Sequence, residues 1–253
     1  MLLARAAVDG VVRHVRLDGD VARPVTDPYA ALAQGRGPTD DGAAVPVQDL
    51  RLLPPAEPTV LVGIAQNRGT NDHPAPVQAW LKSPRSVVAH GEPVRLRRDA
   101  GPAVMEAELA VVVGRDTGSP ERPELTEENA ADFVLGVTAV NDISYPDRTA
   151  LDPRNFETKG GDGSTPLGPW LDTSASLDDG LLALELDGVR VRDTTVAAMP
   201  VPVRESLAYV ARWVRLGPGD VIMAGAPFSH HAAGSARVAA VLVGDLCLET
   251  PLR

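Results

Sequence analysis

The chain is short of lysine, cysteine and aromatic residues, and it contains no long apolar run. Its one cysteine, Cys247, stands alone; an internal disulfide is excluded, and a cysteine-based metal site is not expected. No stretch approaches the roughly 18 consecutive apolar residues that a membrane-spanning helix needs. The segment from Met1 to Ala7 turns polar too early for a secretory signal, so a cytoplasmic location is the expectation. Positive charge is in deficit: 24 Lys and Arg stand against 34 Asp and Glu, a net charge of −10. That balance argues against a general nucleic-acid binder, which needs a basic face. The expected partner is a small molecule, with neither nucleic acid nor membrane involved.

Of those 24 basic residues only two, Lys82 and Lys159, are lysine. A coding bias toward Arg, Ala, Gly and Pro accounts for the abundance of arginine. It leaves open why any lysine is present, since a compact ammonium does what a broad guanidinium cannot.

The 253 residues suffice for one large domain or two small ones with a sizeable core. Residues 1–21 alternate apolar and polar positions around Asp9-Gly10 and Asp18-Gly19, which predicts a short β-meander. Residues 24–58 are rich in Pro and Gly, with a short helix around Tyr29 to Ala33, and read as a linker. The expected division is a small N-terminal β region with its linker (1–58) and a main body (59–253). In the main body, Val60 to Ala65, Val104 to Val113 and Phe133 to Val140 read as strands. Leu181 to Val191 reads as a hairpin around Asp187-Gly188. Thr126 is placed to cap a short helix through Asp132, and Val203, Leu207, Val210, Ala211 and Val214 fall on one helical face. Strands dominate and helices are short, which predicts an α+β, β-rich fold rather than repeated βαβ units.

In the 104–113 strand, Glu106 and Glu108 are two apart and point to one face, with Met105, Ala107, Leu109, Val111 and Val113 on the other. Ala110 and Val112 continue the glutamate face, so the strand is buried on both sides beyond Glu108. Taken alone, such a pair reads as a strand end reaching solvent. A third acid, Asp142, ends the next strong strand and changes the weighing. Three hard oxygen donors without His or Cys suit Mg²⁺ or Mn²⁺.

Taken in order, the chain's motifs resemble those of the fumarylacetoacetate hydrolase family. They are Trp80-Leu81-Lys82-Ser83-Pro84, the Glu106/Glu108 strand ending at Val113-Gly114-Arg115, and Glu128-Asn129-Ala130 through Gly136 to Asn141-Asp142-Ile143-Ser144. Lys159-Gly160-Gly161-Asp162 and Pro166-Leu167-Gly168-Pro169 follow. The last are Gly217-Pro218-Gly219-Asp220, Gly225, Pro227 and Gly244-Asp245. The resemblance implies a mixed β-roll catalytic fold, usually a homodimer, and a divalent metal held by Glu106, Glu108 and Asp142. It implies chemistry on 2-oxo or 1,3-dicarbonyl acids through a stabilised enolate: C–C hydrolysis first, with isomerisation, decarboxylation or hydration as the alternative. Lys159 matches the family's active-site lysine. Lys82 and Gly225 match positions near the substrate; Lys82 reads equally as a structural ion-pair partner.

The chain also departs from the hydrolytic pattern. Where the resemblance leads to a His and a Glu three residues apart, Asp72-His73 is present but Pro76 replaces the Glu. His73 then stands as a catalytic base or as a loop histidine without a role. Positions expected to grip the substrate carry Pro146, Thr149 and Ala226 instead of Arg, Gln and Thr. Arg148 or Arg85 is placed to take over carboxylate binding, since a guanidinium suits that geometry. A non-catalytic relative that binds metal or dimerises is the alternative of a different class; the retained acids and Lys159 weigh against it.

Overall fold

The chain begins with the meander that its alternation predicts. The computed structural model describes residues 1–65, 75–120, 123–152, 154–232 and 236–253. Strands β1 (Leu2–Val8), β2 (Val11–Asp18) and β3 (Val21–Pro24) run antiparallel. Asp9 and Gly10 both take positive φ (50° and 77°), the turn geometry that matches strand twist. The second turn is centred one residue later than expected, on Gly19-Asp20, because Asp18 still pairs with Val21.

The stretch expected to be a linker is tied into the sheet. Helix α1 (Pro28–Ala33) is capped by Asp27, which accepts from the Tyr29 amide at 2.8 Å. Strand β4 (Val45–Pro46) pairs with β3, and β5 (Arg51–Leu53) pairs with β1. Val45 and Leu52 close a small core over Ala4, Ala6, Val15 and Ala22, which the meander alone leaves half covered. Pro46 sits on the outermost strand, where a missing N–H costs no ladder bond.

The main body supplies β6 (Leu61–Ile64), β7 (Ala79–Lys82), β8 (Val87–Val88), β9 (Val104–Met105), β10 (Ala107–Val113), β11 (Val134–Asn141) and the one-turn helix α2 (Phe156–Lys159). It continues with β12 (Thr165–Asp172), β13 (Leu181–Leu186), β14 (Val189–Thr195) and helix α3 (Val203–Trp213). It ends with β15 (Val221–Met223), β16 (His230–His231), β17 (Val238–Val243) and β18 (Leu246–Pro251). One large mixed sheet runs β4-β3-β2-β1-β12-β11-β10-β15-β6-β7. The meander therefore joins the main body edge to edge, with Leu2 opposite Asp172. A second sheet, β14-β13-β17-β18, lies across the first.

The core fills the space between the sheets. Leu109, Val111 and Val137 meet Leu182, Leu184, Val241 and Leu248, with Leu207 and Val210 of α3 at one end. On the opposite face of β10, Ala110 and Val112 pack with Leu61, Val140 and Leu167. Every residue of β10 is buried, as a central strand covered on both faces requires.

The helix expected to start at Thr126 is a turn followed by a 3₁₀ segment, Ala130–Phe133. Asn129 intervenes: its carboxamide oxygen accepts from the Thr126 amide at 2.7 Å and closes the turn. No described helix is long and apolar enough to cross a membrane.

Candidate active site

The 104–113 run is not one unbroken strand. β9 pairs with β16, β10 pairs with β11 and β15, and the ladder breaks at Glu106 between them. β10 and β11 pair with Ala107 opposite Asn141, so the next residues out, Glu106 and Asp142, face each other. The Asp142 amide donates to the Glu106 carbonyl at 3.0 Å, and the Glu106 amide donates to Asn141 Oδ1 at 3.2 Å. These bonds fix the two acids at one end of the sheet. Glu108, on the same face of β10, completes the group.

Oxygens of Glu106, Glu108 and Asp142 lie within 4.8 Å of one another, and none of the three residues is more than 1% exposed. They are not a strand end reaching solvent. Three carboxylates in so small a volume repel one another and have lost their hydration, so compensation has to come from nearby cations. Both lysines of the chain supply it. Lys159 Nζ binds Glu106 Oε2 and, at 2.7 Å, Asp142 Oδ2. Lys82 Nζ binds Asp142 Oδ1 and donates to the Ser164 carbonyl at 3.0 Å.

Burial alone would raise the Asp142 pKa, but the Lys159 and Lys82 ammoniums hold it below the usual carboxylate range. Burial lowers that of Lys82, against the pull of Asp142. Glu108 touches neither lysine. Burial, with the Asp142 charge adding to it, pushes its carboxyl up to about 8, although the Gly225 amide donates to Glu108 Oε2 at 2.9 Å.

Three carboxylates against two ammoniums leave a formal charge of −1. The donors are all hard oxygens and converge on one point. This is the donor set that suits a small divalent cation such as Mg²⁺ or Mn²⁺, with positions left for water or substrate oxygens.

Glu106, Glu108 and Lys159 form the floor of a cavity of about 300 Å³, and Asp142 lies behind them, bonded to Lys159. Trp80 makes one wall; Lys159 Nζ stands 5.3 Å from its ring centroid, a cation–π contact. Gly63, directly opposite Trp80 in the β6–β7 pair, lets the indole lie against the strand. A methyl group at Gly63 would collide with that ring. Gly63→Ala is therefore expected to destabilise the protein by about 1–3 kcal/mol and shift the Trp80 fluorescence maximum. An unchanged melt and spectrum would contradict the close packing. Ser144, Thr149, Asn155, Thr158 and Ala226 also line the cavity.

Several expected substrate contacts lie elsewhere. Lys82 is fully buried beneath Asp142 and does not line the cavity, so it supports the acid instead of touching substrate. Gly225 acts through its amide on Glu108. Arg148 faces the other way: helix α2 separates the cavity from a larger cleft of about 750 Å³, where Arg148 Nε bonds Glu157 at 2.7 Å. Arg85 lines that same cleft. His73 lies outside the described residues. Sequence reasoning missed Asn155 and Thr158, because nothing in their spacing shows that α2 turns them toward the acids.

The architecture is shared with known proteins. The profile of the fumarylacetoacetate (FAA) hydrolase C-terminal region matches residues 58–249, and that of the Rv2993c-like N-terminal region matches residues 1–55. Protein Rv2993c of Mycobacterium tuberculosis is 29% identical over 241 residues, covering 90% of this chain and 88% of that protein. The crystal structure of 5-carboxymethyl-2-hydroxymuconate delta-isomerase from Mycobacterium smegmatis is 26% identical, with a TM-score of 0.88 over 100% of this chain and 99% of that one. The 2-hydroxyhepta-2,4-diene-1,7-dioate isomerase of Mycobacterium marinum is 27% identical, with a TM-score of 0.87 over 100% of this chain and 98% of that one. The chain belongs to the fumarylacetoacetate hydrolase family.

Proposed function

We propose that this protein is a divalent-metal-dependent enzyme that isomerises a 2-oxo acid through its enolate, working as a homodimer as the family resemblance implies. The observation that carries the reading is the buried group of Glu106, Glu108 and Asp142 beside Lys159 at the floor of a cavity. A cation bound there supplies a Lewis acid that lowers the energy of an enolate at neutral pH. The chain's own residues do the rest. Glu106, Glu108 and Asp142 hold the cation. Lys159 presents a fixed positive charge at the cavity floor, where an oxyanion develops, without reorganising during the reaction. Trp80, Ile64 and Ala226 keep the inner wall apolar and limit water. In isomerisation, a proton leaves the carbon beside the carbonyl and one returns further along the conjugated chain; His73 is the candidate base for that transfer. No water need be split, which suits a chain with Pro76 where a water-activating Glu would stand. The relatives named as isomerases, similar over their whole length, support the same choice.

Hydrolysis of the C–C bond of an acylpyruvate-like substrate is the second reading, favoured by the Asp72-His73 pair. Mass spectrometry after incubation with a 2-hydroxy-2,4-dienoate and an acylpyruvate, with and without Mg²⁺ in D₂O, separates the two. Isomerisation is expected to leave the dienoate's carbon skeleton intact, add deuterium and need the metal. Lys159→Met is expected to slow it by about 10²–10³-fold. Two carbon fragments with one water added would instead support the hydrolase. Metal-independent behaviour with both compounds would overturn the enzyme reading.

A further inference from the structure

We infer that the substrate carries its only negative charge at the metal end, and that Asn155 recognises a neutral hydrogen-bonding group on its tail. This rests on the enzyme reading above and adds the substrate class to it.

Among the described residues, the charged groups lining the cavity are Glu106, Glu108 and Lys159, all at the floor. Lys159 is the only cation of the three and is already shared between Glu106 and Asp142. Among the described residues Arg148 does not supply a second cation: it lies across α2 and is held by Glu157. Above the floor the described walls are neutral. Ser144 and Thr158 are buried hydroxyls, Ala226 and Ile64 are apolar, and Trp80 closes one side. A second carboxylate placed against these walls would lose water without gaining a counter-charge, since with a divalent cation bound the floor carries a formal +1 that the substrate's first carboxylate already balances. A hydroxyl, carbonyl or amide meets no such penalty. The names of two relatives, for a carboxymethyl-hydroxymuconate and a heptadienedioate, denote substrates with more than one carboxylate; the cavity of this chain points to a monoacid.

Asn155 is placed to tell one neutral tail from another. Its backbone is left-handed, φ 65° and ψ 12°, and is pinned at both ends. The amide donates to the Asp152 carbonyl at 3.2 Å, and the carbonyl accepts from the Lys159 amide at 3.0 Å. The side chain caps no helix and makes no hydrogen bond within the described residues. A residue that only had to satisfy this backbone would be served best by glycine, which takes left-handed φ without strain. Asn155 instead brings a carboxamide, one donor group and one acceptor, to the cavity rim, one turn before the Lys159 ammonium.

Calorimetry on the Mg²⁺-loaded protein tests this with four probes. Oxalate, which has no tail, reports the metal end. 2-Oxopentanoate, 5-hydroxy-2-oxopentanoate and 2-oxopentanedioate share one chain length and differ only at the far end. The hydroxylated acid is expected to bind about tenfold tighter than the alkyl acid, and the dioate more weakly than either. Asn155→Gly, which keeps the backbone geometry, is expected to erase the tenfold preference while oxalate binds as before. Asn155→Ala serves as the control for backbone strain. A dioate that binds tightest, or a hydroxyl preference that survives Asn155→Gly, overturns the inference and leaves the enzyme reading standing. Oxalate that fails to bind in a metal-dependent way overturns the enzyme reading itself, and this inference with it.

Discussion

Glu108→Gln is expected to leave the protein folded and to remove its divalent-metal binding. The reason lies in how the acids divide the two lysines. Asp142 is bonded to both ammoniums, and Glu106 to one. Among the described residues Glu108 is hydrogen-bonded by the Gly225 amide alone, and burial with the Asp142 charge pushes its carboxyl up to about 8 against the pull of the more distant Lys159 and Lys82. Without a cation the folded protein therefore keeps a proton on Glu108 at neutral pH, and glutamine imitates that protonated side chain. The unfolded chain releases the proton near the ordinary value of 4.5, the folded chain only near 8. Between those values the folded state binds more protons, so stability falls as pH rises. The loss amounts to a few kcal/mol at most, complete as pH passes the folded value.

Added Mn²⁺ should reverse the loss, because the cation takes the proton's place; its stabilising effect should grow from pH 6 to pH 8. Glu108→Gln should show neither the pH-dependent loss nor the rescue. Its Mn²⁺ affinity should fall by about 100-fold or more in calorimetry, and its turnover by about 10³-fold. A variant that binds Mn²⁺ as the parent does would remove Glu108 from the ligand set.

Much of this was legible before any coordinates because a strand repeats every two residues. Glu106 and Glu108 had to share a face, and the apolar residues between and beyond them had to bury the strand on both sides. Asp9-Gly10 and Asp187-Gly188 were legible for a similar local reason: short turns need left-handed φ, which these pairs supply. What escaped depends on partners far away in the chain. The pairing of Val45 with Ala22 and of Leu52 with Ala6 has no local signature, so a Pro-rich stretch read as linker when it closes a core. The direction of Arg148 is set by Glu157, nine residues away across a one-turn helix, which no periodicity predicts. The left-handed Asn155 follows from a bend whose hydrogen bonds run to Asp152 and Lys159, and composition is silent on it. The four residues that the resemblance singled out, Glu106, Glu108, Asp142 and Lys159, lie together in the fold, while it named few of the cavity's wall residues.

Lys82→Met is expected to cost more stability than any other single change at the site. The Lys82 side chain is 1% exposed and that of Asp142 is fully buried. Methionine fills nearly the same volume but leaves Asp142 Oδ1 and the Ser164 carbonyl without their donor. Breaking one side of a buried ion pair costs about 3–5 kcal/mol, because the remaining charge stays desolvated. A urea melt of the metal-free protein would read this as a lower midpoint with an unchanged slope. Arginine should rescue little, since a guanidinium is too broad for a slot shaped around an ammonium. The double variant Lys82→Met/Asp142→Asn should recover most of the loss, because both charges are then gone, yet bind no Mn²⁺. A Lys82→Met cost below about 1 kcal/mol would mean that Asp142 does not depend on this lysine. In a chain that uses arginine nearly everywhere else, the two lysines then have one physical reason in common. Each fits an ammonium against a buried carboxylate, Lys82 from beneath and Lys159 from the cavity side. Asp142, buried at the centre of the site, stays ionised only because these two residues are small enough to reach it.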